Sequence, residues 1–205
     1  VTVMSDMFIA GTDTTSNSLR WMILYMALYP EIQHKAHATL DEEVPKGRIP
    51  SLEDRPRLAY IDALILDVLR LSSLVPVGVA HMASADVQFE GYNIPKGTIL
   101  MATLELFHHD PALWERPNQL HPQHFLDGDG NLISRHDGFH PFSLGRRQCL
   151  GESLARMELF LFTAAILQRF NITAPTGVEL DATTDPTQYK LNTPKPFKVM
   201  LATRT

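Results

Sequence analysis

Residues 58–72, LAYIDALILDVLRLS, are apolar on nearly every face of a helix. A helix that is hydrophobic all round has no side to give to water, so this one reads as a buried helix with the rest of the chain packed about it. Its few charges then matter. Asp67 and Arg70 are i,i+3 neighbours on one face. Buried among Leu64, Leu66, Leu69 and Leu71, they must pair with each other, because an unpaired charge in an apolar interior is prohibitively costly.

The remaining segments supply partners for that helix. Residues 1–29 read as one long helix stopped before Pro30, and Pro30 with Glu31 opens a second helix that runs over 31–43. Residues 75–105 carry short alternating runs around Glu90-Gly91 and Pro95-Lys96-Gly97, the pattern of a small antiparallel sheet with turns. Asp110-Pro111 predicts a capped short helix through Trp114. Residues 115–147 are rich in Pro, Gly and His without period, which points to function or to wrapping over a surface. Residues 151–170 form a strong helical pattern, and the tail 189–202 reads as a strand or hairpin. The class is mainly helical with a minor antiparallel sheet. The chain opens inside a helical pattern without a cap, so we expect it to be the C-terminal part of a longer chain.

Composition narrows the functions. The chain has 205 residues and a net charge of −5. That balance argues against a chain-wide grip on nucleic acid. The single cysteine makes no internal disulfide, and there is no CxxC or CxxCH for a zinc ribbon or a covalently attached heme.

That cysteine, Cys149, lies in PFSLGRRQCLGES, immediately before the last helix. The free N–H groups of a helix start favour an anion, and Arg146 and Arg147 add positive charge, so the thiolate is favoured there. Gly145 and Gly151 let the backbone pass where a side chain would block a flat ligand. Phe142 and Leu150 are expected to give apolar cover. A lone cysteine is more often a small core hydrophobe. Here Phe142-x-x-Gly145-x-Arg147-x-Cys149-x-Gly151 fixes five positions, and a chance match is on the order of 10⁻⁴ at roughly one in twenty per residue.

This loop resembles the heme-binding loop of the cytochromes P450. The resemblance implies that Cys149 is the axial ligand of heme b, iron protoporphyrin IX, through its thiolate. It also implies that Arg147 pairs with a propionate, that Phe142 shields the sulfur and that Gly145 and Gly151 line the loop. AGTDTT, residues 10–15, is by its residues alone a bent core helix: Gly11 costs roughly 1 kcal/mol against Ala, and Thr12, Thr14 and Thr15 bond back to carbonyls a turn earlier. It resembles the family's oxygen-activating helix. There Ala10 and Gly11 open a groove over the iron, and Asp13 with Thr14 forms the acid–alcohol pair that delivers protons.

The Asp67–Arg70 pair resembles the family's Glu-x-x-Arg clamp, with His124 as the third partner from the later loop. One methylene shorter than Glu, Asp67 is expected to reach Arg70 less readily. His81 reads on its own as structural; the resemblance makes it a second propionate contact. The same resemblance puts Val75, Val77, Val79 and Leu191 against substrate. His108-His109 reads as loop surface.

Likeness to the family covers the whole chain, residues 1–205, as the C-terminal heme-binding portion of one domain. It implies a heme-thiolate monooxygenase of animal microsomal type, acting on lipophilic substrates of the drug, steroid or fatty acid kind. The partners implied are O₂ and a flavoprotein reductase carrying electrons from NADPH, which Arg146 would meet; the place implied for the parent protein is the endoplasmic reticulum membrane. The alternatives are a heme-thiolate isomerase or dehydratase, and a truncated remnant without catalysis. An intact Asp13-Thr14 pair speaks against the isomerase.

Overall fold

The computed structural model of the chain describes residues 2–133, 135–188 and 190–204. Val1, Ser134 and Tyr189, within the expected first helix, long loop and tail hairpin, lie outside them. The segment expected to be buried is helix α3, Ala59–Ser72, and every side chain from Tyr60 to Arg70 is buried. Three other helices pack on it: α1 (Thr2–Leu28), α2 (Pro30–Glu43) and α5 (Glu152–Arg169). Trp21, Leu24 and Met26 of α1 meet Ile61 and Leu64 of α3 and Phe160 and Leu167 of α5 in one core. No helix among the described residues is long and apolar enough to cross a membrane.

Local chemistry sets the ends of these helices. Pro30 stands at the first turn of α2, where its missing N–H costs nothing. Gln33, buried, then stitches three elements. Its amide donates to Met26 O and Ile172 O, both at 2.9 Å, and its oxygen accepts Ile172 N–H at 2.7 Å. Helix α3 ends at Ser73, held at φ 39°. A non-glycine residue there costs roughly 1–2 kcal/mol, and the Ser73 hydroxyl turns out to be used.

The expected single sheet is instead split into two-stranded pieces. β1 (His81–Met82) pairs antiparallel with β4 (Ile99–Leu100), and β2 (Val87–Phe89) pairs with β3 (Tyr92–Ile94). The β2–β3 turn has both central residues at positive φ, Glu90 at 47° and Gly91 at 81°, the twist a two-residue hairpin needs. The strand pattern does not reach residue 105, because Leu104–His108 forms a short helix, α4.

One further expectation fails. Residues 110–114 make a turn rather than a helix, closed by Leu113 and Trp114 N–H on Asp110 O at 3.0 Å. The tail, expected as a strand or hairpin, is a strand at its end: among its described residues only β6 (Met200–Thr203) is a strand, and it pairs with β5 (Phe170–Thr173), which follows α5 directly. Pro194 and Pro196 remove the donors a strand before β6 would need. That stretch is instead pinned by contacts such as Trp21 Nε1 to Asn192 O at 2.7 Å and Asn192 N–H to Leu74 O at 2.8 Å.

Candidate functional site

The chain from Pro141 to Gly151 is shaped by its backbone. Ser143 (φ 62°) and Gly145 (φ 76°) turn it, and 145–147 makes one 3₁₀ turn. Cys149 N–H then donates to Phe142 O at 2.9 Å, closing the loop. The loop delivers Cys149 just ahead of α5, with its side chain exposed. A lone core cysteine is thereby excluded. The positive φ makes Gly145 the needed residue. Gly151 has room for a Cβ, which would stand 3.9 Å from Cys149 Sγ. Leu150, expected to cover the sulfur, is 80% exposed and does not.

Cys149 faces a mostly apolar cavity of about 270 Å³. Helix α1 contributes Thr14, Thr15 and Ser18 to its lining. The end of α3 and the strand region add Leu69, Val75, Val79 and His81, and Phe142 and Arg147 flank the sulfur. The cavity thus gathers Cys149, Arg147, Phe142, Thr14, His81, Val75 and Val79. It does not gather the rest. Val77, bridged to Thr103, and Leu191 are not among its lining residues. Ala10, Gly11 and Asp13 lie beyond its edge on α1, with Asp13 exposed. Among the described residues nothing occupies the space a Gly11 Cβ would take. The back-bonding expected of this helix is present at Thr12 and Thr14, not at Thr15: Thr12 Oγ1 donates to Phe8 O at 2.6 Å and Thr14 Oγ1 to Ala10 O at 2.7 Å.

Behind the cavity sits the clamp. Asp67 and Arg70 are both 0% exposed. Arg70 Nε donates to Asp67 Oδ1 at 2.6 Å, so the shorter carboxylate does reach. His124 Nδ1 lies 3.0 Å from the same oxygen, and His121 N–H donates to Oδ2. Arg70 also donates to His108 O at 2.9 Å, Pro117 O at 2.7 Å and Gln119 O at 2.8 Å, under the Trp114 ring. Burial alone would push the Asp67 carboxyl up. The His124 hydrogen bond and the Arg70 charge and hydrogen bond outweigh it and hold the carboxyl below its ordinary value.

The family model for cytochrome P450 matches residues 1–201. The chain belongs to the cytochrome P450 family. It is 49% identical over 202 residues to Cytochrome P450 2L1 of Panulirus argus, and 43% identical over 203 residues to Cytochrome P450 2U1 of Bos taurus. To Cytochrome P450 2D4 of Rattus norvegicus it is 41% identical over 206 residues. Each match covers 98% of this chain and 41%, 37% and 40% of the relative, so the chain spans about two fifths of the length of these relatives.

The P450 cofactor is heme, and the residues here suit it. An exposed sulfur opens onto a mostly apolar cavity, which is what a thiolate-ligated, largely apolar ring requires. Arg147 and His81 on the same cavity offer two cationic or hydrogen-bonding groups for carboxylates.

Sequence reasoning missed the floor of this cavity. His108, read as loop surface, is 1% exposed and lines the cavity, as does Ser73. Spacing alone does not separate the two histidines: His108 is i+4 from buried Leu104, but His109 is i+4 from Glu105, which is itself half-buried. Thr15 and Ser18 were missed likewise, although both stand on the buried side of α1 beside Thr14.

Proposed function

We propose that the chain is the C-terminal heme-binding portion of a heme-thiolate monooxygenase acting on lipophilic molecules. The observation that carries the reading is the exposed Cys149 sulfur on a mostly apolar cavity that Thr14 also lines. When bound, heme would supply the iron at which O₂ is activated with two electrons. Cys149 would ligate it through the thiolate, with Phe142 beside the sulfur limiting water. Arg147 and His81 would hold the propionates. Thr14 Oγ1 donates a hydrogen bond to Ala10 O, and to deliver a proton it would turn that O–H from the carbonyl toward the cavity, which Thr14 lines. Asp13, one residue away and exposed, would draw protons from solvent and hand them to that hydroxyl. Val75 and Val79 would select apolar substrate by excluding water. The intact Asp13-Thr14 pair favours this over the isomerase reading.

By membership of this family, the parent protein would be of the microsomal kind, in the endoplasmic reticulum membrane, with a flavoprotein reductase passing electrons from NADPH; Arg146, exposed beside the loop, would meet that partner's acidic face. The test is Cys149→Ser in the full-length, heme-loaded protein. The thiolate-type absorption of the reduced carbonyl complex should vanish. An unchanged spectrum would overturn the assignment.

A further inference from the structure

The buried imidazole of His108 is fully wired. Its Nε2 accepts the backbone N–H of His140 at 3.2 Å, so that nitrogen carries no proton. The ring proton is therefore on Nδ1, 2.8 Å from Ser73 Oγ. Ser73 Oγ in turn donates to Arg70 O at 2.9 Å. The left-handed Ser73 at the end of α3 thus acquires a purpose: its hydroxyl accepts from His108 and donates to the helix. His140 begins the His-Pro-Phe run whose Phe142 carbonyl accepts Cys149 N–H. One neutral ring joins the buried helix to the root of the cysteine loop.

We propose that His108 is a positioning residue, a neutral-imidazole latch that fixes the start of the Cys149 loop to α3 and releases it when the ring takes a proton. An imidazolium has a donor at both nitrogens and cannot accept the His140 N–H. The surroundings oppose a proton. Burial first, then the charges of His109, Arg70 and His140, push His108 down to about 3. The other groups around it are Glu105 on its own helix, Asp67 behind Arg70, and His136 and Asp137 in the loop segment; His81, Arg147 and Cys149 share the cavity. His136 works the same way, its Nδ1 accepting Gly138 N–H at 3.0 Å while the ring stacks on Trp114.

The sign follows. With its folded value depressed, the latched state takes no proton, while a released histidine titrates at its ordinary 6.5. Opening is therefore favoured as pH falls below about 6.5, by up to tenfold per pH unit for each such histidine.

The inference rests on Cys149 as the ligand, and its test separates the two. In the full-length heme-loaded protein, exchange of the His140 backbone amide is followed between pH 8 and pH 5, with the reduced carbonyl spectrum recorded beside it. His108→Gln keeps an acceptor and a donor but does not titrate. It should match the unsubstituted protein at pH 8 and lose roughly 30-fold less protection by pH 5. His108→Phe should lose His140 protection and part of the thiolate-type spectrum already at pH 8. Identical acid profiles for the unsubstituted and Gln proteins, or full protection in the Phe variant, would overturn the latch. Because amide exchange does not need the ligand assignment, Cys149→Ser failing its own test leaves this readout intact.

Discussion

The clamp around Arg70 and the loop around Cys149 both connect to α3, yet they handle polar groups in opposite ways. At the clamp, two charges are 0% exposed, and the guanidinium meets one carboxylate and three carbonyls. At the loop the sulfur is exposed, and Leu144 and Leu150 stand 63% and 80% in the open. A site that closes on itself contributes to stability; a site that leaves apolar and ligating groups open is shaped for something that is not protein. Within one short stretch of fold, the first is a fixture and the second a receptacle.

The sharpest way to break that contrast is to remove the fixture. Arg70→Leu strands the buried Asp67 carboxylate and three carbonyls, and should cost about 3–5 kcal/mol in denaturant unfolding. A loss below 1 kcal/mol would mean the clamp is no more than a surface pair.

Asp67→Glu comes next. The sequence alone suggests that lengthening the side chain would mend a short reach. The structure reverses that expectation, since Asp67 already meets Arg70 Nε at 2.6 Å in a sealed space. An added methylene overpacks it and should cost about 1–3 kcal/mol. A higher melting temperature for the Glu variant would restore the original view.

Acid sharpens the comparison through two backbone amides. His121 N–H is held by the Asp67 carboxylate, and His140 N–H by the His108 ring. Asp67 is depressed below its ordinary 3.8, so its contribution persists above that value and fades only as pH falls through it. His108 is a base that must stay neutral, so its contribution fades as soon as pH drops below about 6.5. Between about pH 4 and 6.5 the His140 amide should lose protection while the His121 amide keeps it. Simultaneous loss would merge the two regions into one.

The contrast also explains what was legible from residues alone. Helices α1, α2, α3 and α5 follow from period and from Pro30, because their apolar faces are continuous in the chain. The Asp67–Arg70–His124 contact follows because two charges in an apolar helix have nowhere else to go. His108 escaped because its burial is decided by residues 32 and 35 positions away, His140 and Ser73, which local pattern does not connect. The tail's strand was legible but its extent was not, because Pro194 and Pro196 remove donors that an earlier strand would need. Leu150 was misread because a loop position with an apolar side chain looks like cover until the fold leaves it outside.

The smallest effect is the most discriminating, because it applies the same substitution to both regions. Leu64, 0% exposed in α3, and Leu150, 80% exposed in the loop, differ in environment and not in chemistry. Leu64→Ala empties core volume and should cost about 2–5 kcal/mol. Leu150→Ala trims a side chain that is mostly in the open, and in the heme-free polypeptide should stay within about 0.5 kcal/mol. A substantial loss for Leu150→Ala without heme would mean that the loop carries folding energy. The open sulfur would then sit on a structural element, and its exposure would no longer mark a place kept for a ligand.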